Sequence, residues 1–212
     1  MKKLLGILAI SALLASSAFA QGLVGFINNT AGLVRQWTSA TDPALMSVPA
    51  GGGMVDLLTA PAGTAFNALG SLSGLGFGLT YPTLAAFLGA NPGWQSVATV
   101  GFTTPAAGRF NGSTVTLQGA ITGGANAEYV LVGWTGSATS LDAAITAKAF
   151  IGSGPMLTTT TGSGGTPPIA PTLLSATFTG MTLAPLATVP EPATFALAGL
   201  GLAALVAFRR RS

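Results

Sequence analysis

Between Gln21 and Thr188 turn-forming residues recur so densely that no long helix fits; the whole chain carries 30 glycines and 13 prolines in 212 residues. A glycine inside a helix costs about 1 kcal/mol relative to alanine and a proline about 3. What survives between the breaks is a series of short apolar or alternating runs, the length of strands. Gly22 to Asn28 opens the series, with Asn29-Thr30 as its turn, and Met54 to Leu58 follows. In Val97 to Thr103, Ala98, Val100 and Phe102 point one way. In Thr114 to Ile121, Val115, Leu117 and Ile121 share a face opposite Thr114, Thr116 and Gln118. Glu128 to Thr135 is apolar on both faces, as in a strand covered from both sides, and Leu173 to Leu183 alternates through Leu174, Ala176 and Phe178. These runs predict a mainly β chain, an antiparallel β-sandwich.

Two short helices interrupt it. Ser140 is placed to cap Leu141 to Phe150, with Asp142 in the first turn and Leu141, Ala144, Ile145 and Lys148 at helical spacing. Pro82 to Leu88 predicts a shorter turn of helix. Ala65 to Ala90, uncharged but broken by Gly70, Gly74, Gly76, Gly78 and Pro82, reads as a glycine-rich loop over the sandwich and makes a poor membrane span. Gly152 to Pro171, with Thr158 to Thr161 and Pro167-Pro168, reads as a long exposed loop.

Both ends have a different character. Met1-Lys2-Lys3, apolar Leu4 to Leu14 and the small-x-small triplet Ala18-Phe19-Ala20 form a secretory signal peptide, so signal peptidase is expected to leave a mature chain beginning at Gln21. At the other end Pro190-Glu191-Pro192 precedes Ala193 to Phe208, 16 uncharged residues, and then Arg209, Arg210 and Arg211. As a helix this segment reaches roughly 24 Å and crosses a bilayer that thins slightly, with the arginine heads held at the interface. The positive-inside rule keeps Arg209 to Arg211 cytoplasmic and the preceding chain outside. The two prolines stop any helix entering from the exported part and present Glu191 on an extended segment. Three parts follow: residues 1–20, the β-rich part 21–188, and the tail 189–212. Gly199-x-Gly201-x-x-Ala204 fits a dinucleotide fingerprint only superficially, because no βαβ unit surrounds it; small residues in a membrane helix explain it.

The order of Pro-Glu-Pro triplet, apolar helix and arginine cluster resembles the PEP-CTERM sorting signal, over Val189 to Ser212. That resemblance implies a Gram-negative envelope and recognition by exosortase, a multi-pass membrane cysteine transpeptidase. The enzyme is expected to cut near Pro190, Glu191 and Pro192 and to release or transfer the exported part to the outer surface or extracellular matrix, after a stage anchored in the inner membrane by residues 193–208. The Gly22-x-x-x-Phe26 start, the Tyr129 to Trp134 run and Leu141-Asp142-Ala143-Ala144 are loosely similar to β-rich ectodomains with the same tail, a likeness that names no activity.

Charge and chemistry then narrow the function. Removing both ends leaves Arg35, Arg109 and Lys148 against Asp42, Asp56, Glu128 and Asp142, three minus four, so the exported part lacks the basic patch that nucleic acid requires. Leu57 to Gly108 carries no charge at all. Without histidine or cysteine the chain has no Ser-His-Asp, Cys-His or zinc site and no disulfide, so neither catalytic residues, metal ligands nor cofactor are expected. Calcium is not expected either, because no oxygen-rich loop holds a run of Asp. A glycoside hydrolase would need two of the four carboxylates about 5 to 10 Å apart. A carbohydrate-binding module, with exopolysaccharide as partner, would need exposed rings among Trp37, Trp94, Trp134, Tyr81 and Tyr129, although such residues in a small sandwich are more often core. Asn28-Asn29-Thr30 and Asn111-Gly112-Ser113 match a glycosylation sequon by chance. The expectation is a non-catalytic structural or adhesive exported protein.

Overall fold

The computed structural model describes residues 21–103, 106–165 and 167–187. The two strands at its centre are β4 (Gly53–Pro61) and β9 (Asn126–Thr135), which pair antiparallel from Gly53 opposite Thr135 to Pro61 opposite Ala127. β7 (Gln95–Gly101) pairs with the free side of β4, and β10 (Ile151–Ser153) and β11 (Leu157–Thr160) follow one another along the free side of β9. The uniformly apolar run from Glu128 reads true: Tyr129, Val130, Leu131, Val132 and Trp134 are all buried.

Each face of this sheet has its own cover. On one face Val55, Leu57, Tyr129 and Leu131 pack with Val24 and Phe26 of β1 (Gly22–Ile27) and with Phe110 and Leu117, which flank β8 (Asn111–Thr116). β1 carries β8 on one side and, in short pieces, β12 (Gly162–Ser163) and β13 (Thr172–Leu173) on the other. On the second face Leu58, Ala60, Val130, Val132 and Trp134 meet Leu69 and Phe77 from the hairpin region of β5 (Gly70–Ser73) and β6 (Gly76–Leu79), Phe87 of helix α1 (Leu84–Ala90) and Leu141 of helix α2 (Leu141–Thr146). A further sheet, β2 (Val34–Ser39) between β3 (Asp42–Ser47) and β14 (Met181–Leu183), contributes Val34, Met181 and Leu183 to the first core and Trp37 to the second.

β14 reaches the central sheet because two glycines clear its path. Gly133 and Gly152 are cross-strand partners. A Cβ on Gly152 would lie 2.0 Å from the Thr182 carbonyl oxygen, and one on Gly133 would lie 2.4 Å from the Met181 methyl. Any side chain at Gly152 would therefore push the two strands apart.

Asn28, at the end of β1, joins segments remote in sequence. Its side chain is buried; the amide donates to the carbonyls of Gly32 (2.7 Å) and Gly108 (2.9 Å), and its Oδ1 accepts from the Phe110 N–H (2.8 Å). All three partners are backbone groups outside the named strands, and of them the Gly108 carbonyl also accepts from the Val34 N–H (2.9 Å). The first sequon asparagine is thus a structural element closed to modification.

Several expectations require correction. Leu173 to Leu183 is not one strand: a 3-10 turn at Leu174–Ala176 replaces its first half, so Leu174 and Phe178 are buried while Ala176 is exposed. The spacing that reads as alternation is that of a single helical turn. Gly152 to Pro171 is not an exposed loop, since β11 and β12 lie within it; β-branched threonines suit a strand edge, and Thr161 is buried with its hydroxyl donating to the carbonyls of Thr122 and Ala125. Ala65 to Ala90 holds the β5–β6 hairpin and α1, whose Thr83 cap accepts from the Ala86 N–H. Ser140 caps α2 as expected, but the helix stops at Thr146 and Lys148 lies beyond it at φ 54°. Asp42-Pro43 is not a turn but the start of β3; the turn is Ala40-Thr41.

Removing the Asn28 side chain should leave the Gly32 carbonyl and the Phe110 amide without partners and take one of two donors from the Gly108 carbonyl, which keeps the Val34 N–H. Asn28→Ala is expected to lower unfolding free energy by about 3 kcal/mol in urea titration, and a loss below about 1 kcal/mol would contradict this role.

Candidate functional site

The four carboxylates do not converge. Asp42 is exposed at the β2–β3 turn, where it accepts from the Thr38 hydroxyl (2.6 Å) and the Ala44 N–H (3.0 Å), bonds that hold its pKa below the ordinary 3.8. Asp142, in the first turn of α2, accepts from the Leu84 N–H (2.7 Å) and so joins the starts of the two helices. Glu128 is buried; one oxygen accepts from the Gly63 N–H (2.9 Å) and the other has no partner among the described residues.

Asp56 is the most constrained of the four. It is buried in β4, and its Oδ1 accepts from the hydroxyls of Ser96 (2.9 Å) and Thr99 (3.0 Å) on β7. Residues three apart on a regular strand face opposite ways. Here the register slips between Leu57 and Leu58, leaving Val97 as an extra residue on β7, which turns Ser96 and Thr99 to one side and sends Val97, Ala98 and Val100 to the first core. Burial pushes the Asp56 carboxyl above its ordinary value, with the two hydroxyls pulling partly back. Asp56 stands opposite Val132 and Ala60 opposite Glu128, so the two buried carboxylates lie four residues apart along the ladder. At about 3.3 Å per residue that is about 13 Å, beyond the span of a glycosidase pair. Among the described residues no group of three or more acidic residues is placed to hold a metal ion.

The aromatic residues turn inward. Trp37 and Trp94 are each 5% exposed and Trp134 1%. The Trp94 indole donates to the Ala65 carbonyl (3.0 Å) and that of Trp134 to the Ala138 carbonyl (2.7 Å). Phe66 packs against Trp94 and Phe87, and Tyr81 meets Phe87 edge-on, so Tyr81 belongs to a cluster under α1. The Tyr129 hydroxyl has no partner among the described residues, and burial pushes its pKa well up. None of the three tryptophans offers a ring face for stacking on a sugar.

The described chain ends in a tight seam. After β14, Ala184 exchanges backbone hydrogen bonds with Ile151; Pro185 accepts from the Phe77 N–H (2.8 Å), and the Ala187 N–H donates to the Phe77 carbonyl (3.0 Å). Residues 188–211 match the family model of the PEP-CTERM protein-sorting motif.

The chain carries a PEP-CTERM sorting signal.

The motif implies an exported protein handled by exosortase. Pro190, Glu191, Pro192 and Arg209 to Arg211 fall within it and lie outside the described residues, as do Ala18 and Ala20 of the expected signal peptide and the apolar segment 193–208. Gln21 is the first described residue and bridges Thr122. Among the described residues no helix is long and apolar enough to cross a membrane. No curated protein and no solved structure matches the chain. Sequence reading missed β2 and β3; in β2 the two buried residues, Val34 and Trp37, are three apart, so no alternation marks the strand.

Two expectations test this account of the interior. Because folding raises the Asp56 pKa, its penalty is present at neutral pH and is relieved as pH falls through the folded value toward 3.8, whereas Asp42 loses stabilisation over the lowest range. Asp56→Asn should therefore gain more over wild type in urea unfolding at about pH 7 than at about pH 4.5; an equal difference at both would contradict the burial argument. Tyr129→Phe removes a buried hydroxyl that bonds to nothing and is expected to stabilise by about 1 kcal/mol, where a loss of that size would reveal a partner.

Proposed function

We propose that this is an exported surface or matrix protein whose β-rich domain is structural or adhesive and non-catalytic, delivered by exosortase through its C-terminal signal. In this reading residues 1–20 are removed by signal peptidase, residues 193–208 anchor the chain in the inner membrane of a Gram-negative envelope, and cutting near Pro190 to Pro192 frees or transfers the domain. The observation that carries it is the match of residues 188–211 to the PEP-CTERM protein-sorting motif. A cut at the triplet leaves β14 and the backbone bonds of residues 184–187 on the domain side.

The packing of the β1 sheet against the β4–β9 sheet supports the sandwich reading, with the helices and the β5–β6 hairpin as an added layer on the second face. Scattered carboxylates and inward tryptophans favour a scaffold over a glycoside hydrolase or a sugar-stacking module. A near-neutral surface rich in Ser, Thr and Asn suits association with extracellular polysaccharide through hydroxyls and backbone.

Intact mass and the C-terminal peptide of the protein from native cells test the sorting step. A chain ending near Pro190 to Pro192, or carrying added mass there, is expected outside the inner membrane. A chain ending in Arg211-Ser212 and confined to the membrane fraction would show that the tail only anchors.

A further inference from the structure

The sheet of β14, β2 and β3 turns two kinds of surface in opposite directions. Val34 and Met181 are cross-strand partners buried in the first core, so the next pair along the ladder, Arg35 and Thr182, emerges on the other face. There a pocket of about 400 Å³ has Thr30, Leu33, Arg35, Leu45, Thr179 and Thr182 among its lining residues. That volume falls within the roughly 300–1,000 Å³ of small-molecule sites.

The backbone builds this pocket in advance. Asn29 Oδ1 accepts from the N–H groups of Ala31 (2.8 Å) and Gly32 (3.2 Å), and its amide donates to the Ser175 carbonyl (2.9 Å), which ties the segment carrying Thr30 to the 3-10 turn. Gly180 sits at φ 104°, and a Cβ there would lie 2.6 Å from the Leu33 carbonyl oxygen, so the segment carrying Thr179 rests directly on the one carrying Leu33.

Arg35 is the one charged residue of the lining, and it is exposed. Each carboxylate among the described residues is engaged elsewhere: Asp42 with Thr38, Asp56 with Ser96 and Thr99, Glu128 with Gly63 and Asp142 with Leu84. Arg109 donates to the Asn28 carbonyl, and the Thr99 and Thr161 hydroxyls bond within the fold. The Arg35 guanidinium and the hydroxyls of Thr30, Thr179 and Thr182, by contrast, bond to no protein group among the described residues. Their polar capacity is available to a ligand.

A guanidinium offers paired planar donors that match a carboxylate, and hydroxyls both donate and accept. Leu45, 48% exposed, adds aliphatic surface for the C–H face of a sugar ring. One cation matches one negative charge. We propose that this pocket binds an acidic sugar, the uronate unit of a polysaccharide, with its carboxylate on Arg35 and its ring hydroxyls on the threonines. The biological use of the site rests on the polysaccharide association proposed above; the binding does not.

The test is a chemical-shift titration of the ¹⁵N-labelled full chain in detergent micelles with a galacturonate tetramer, with its neutral methyl ester and with a sulfated galactose tetramer. The uronate is expected to move the amide signals of residues 30–35 and 179–182. The methyl ester, which keeps the rings and loses the charge, should bind about ten-fold more weakly or worse, as should the uronate to Arg35→Gln, the scale of a lost charge-assisted hydrogen bond. Arg35→Lys, which keeps the charge without the fork, should fall between. Equal binding of uronate and ester, or an affinity unchanged in Arg35→Gln, would overturn the site, and a sulfated tetramer that binds as tightly would overturn the carboxylate assignment. Shifts confined to other residues would also overturn the site while leaving polysaccharide association standing, so the two fail separately.

Discussion

A strand covered by side chains on both faces must satisfy its backbone donors and acceptors within its own sheet, since no water reaches them. β9 does so by pairing along its length with β4 and, on its other side, with β10 and β11. The rest of the fold is arranged to keep this pair dry. The β1 sheet closes one face and the two short helices with the β5–β6 hairpin close the other. With no cysteine in the chain, these two apolar cores and the buried polar links between segments carry the stability.

Those polar links share a design. Asn28 serves three backbone groups around β1 and β8; Asn91 does the same at the end of α1, donating to the Phe87 and Asn67 carbonyls and accepting from the Asn67 N–H. In both cases a neutral amide, which can donate and accept at once, ties backbone outside the named strands. A chain so poor in charge has little else with which to fix its loops. Asp56 and Glu128 depart from this as buried carboxylates, and Asp56 is tolerated because a bulge in β7 turns two hydroxyls toward it.

The sequence makes the centre legible and the edges obscure, for physical reasons. Glu128 to Thr135 is readable because burial on both faces demands an unbroken apolar run, and Ser140 because a helix start has a side-chain signature. β11 hides in a run of threonines, where identical residues leave no alternation to see. β3 hides because all its residues but Ser47 are exposed, so nothing in Asp42 to Met46 records a core. Leu174 and Phe178 mislead because a spacing of four fits a strand and a helical turn alike. For the site, the Pro-Glu-Pro triplet and arginine cluster are legible in sequence as an address, whereas the inward turn of Trp37 and Trp94 emerges only from packing. The pocket at Arg35 joins residues 30–35 to 179–182, a juxtaposition that local patterns do not contain.

Residues 184–187, which directly precede the sorting motif, belong to the fold. The most direct test compares the urea unfolding of a chain ending at Ala187 with that of one ending at Leu183. Residues 184–187 contribute four backbone hydrogen bonds, two with Ile151 and two with Phe77. At about 1 kcal/mol each, their loss is expected to cost about 4 kcal/mol, while the chain ending at Ala187 unfolds in one cooperative transition. Equal stability of the two chains would mean that the fold closes before Ala184 and that residues 184–187 are not part of it.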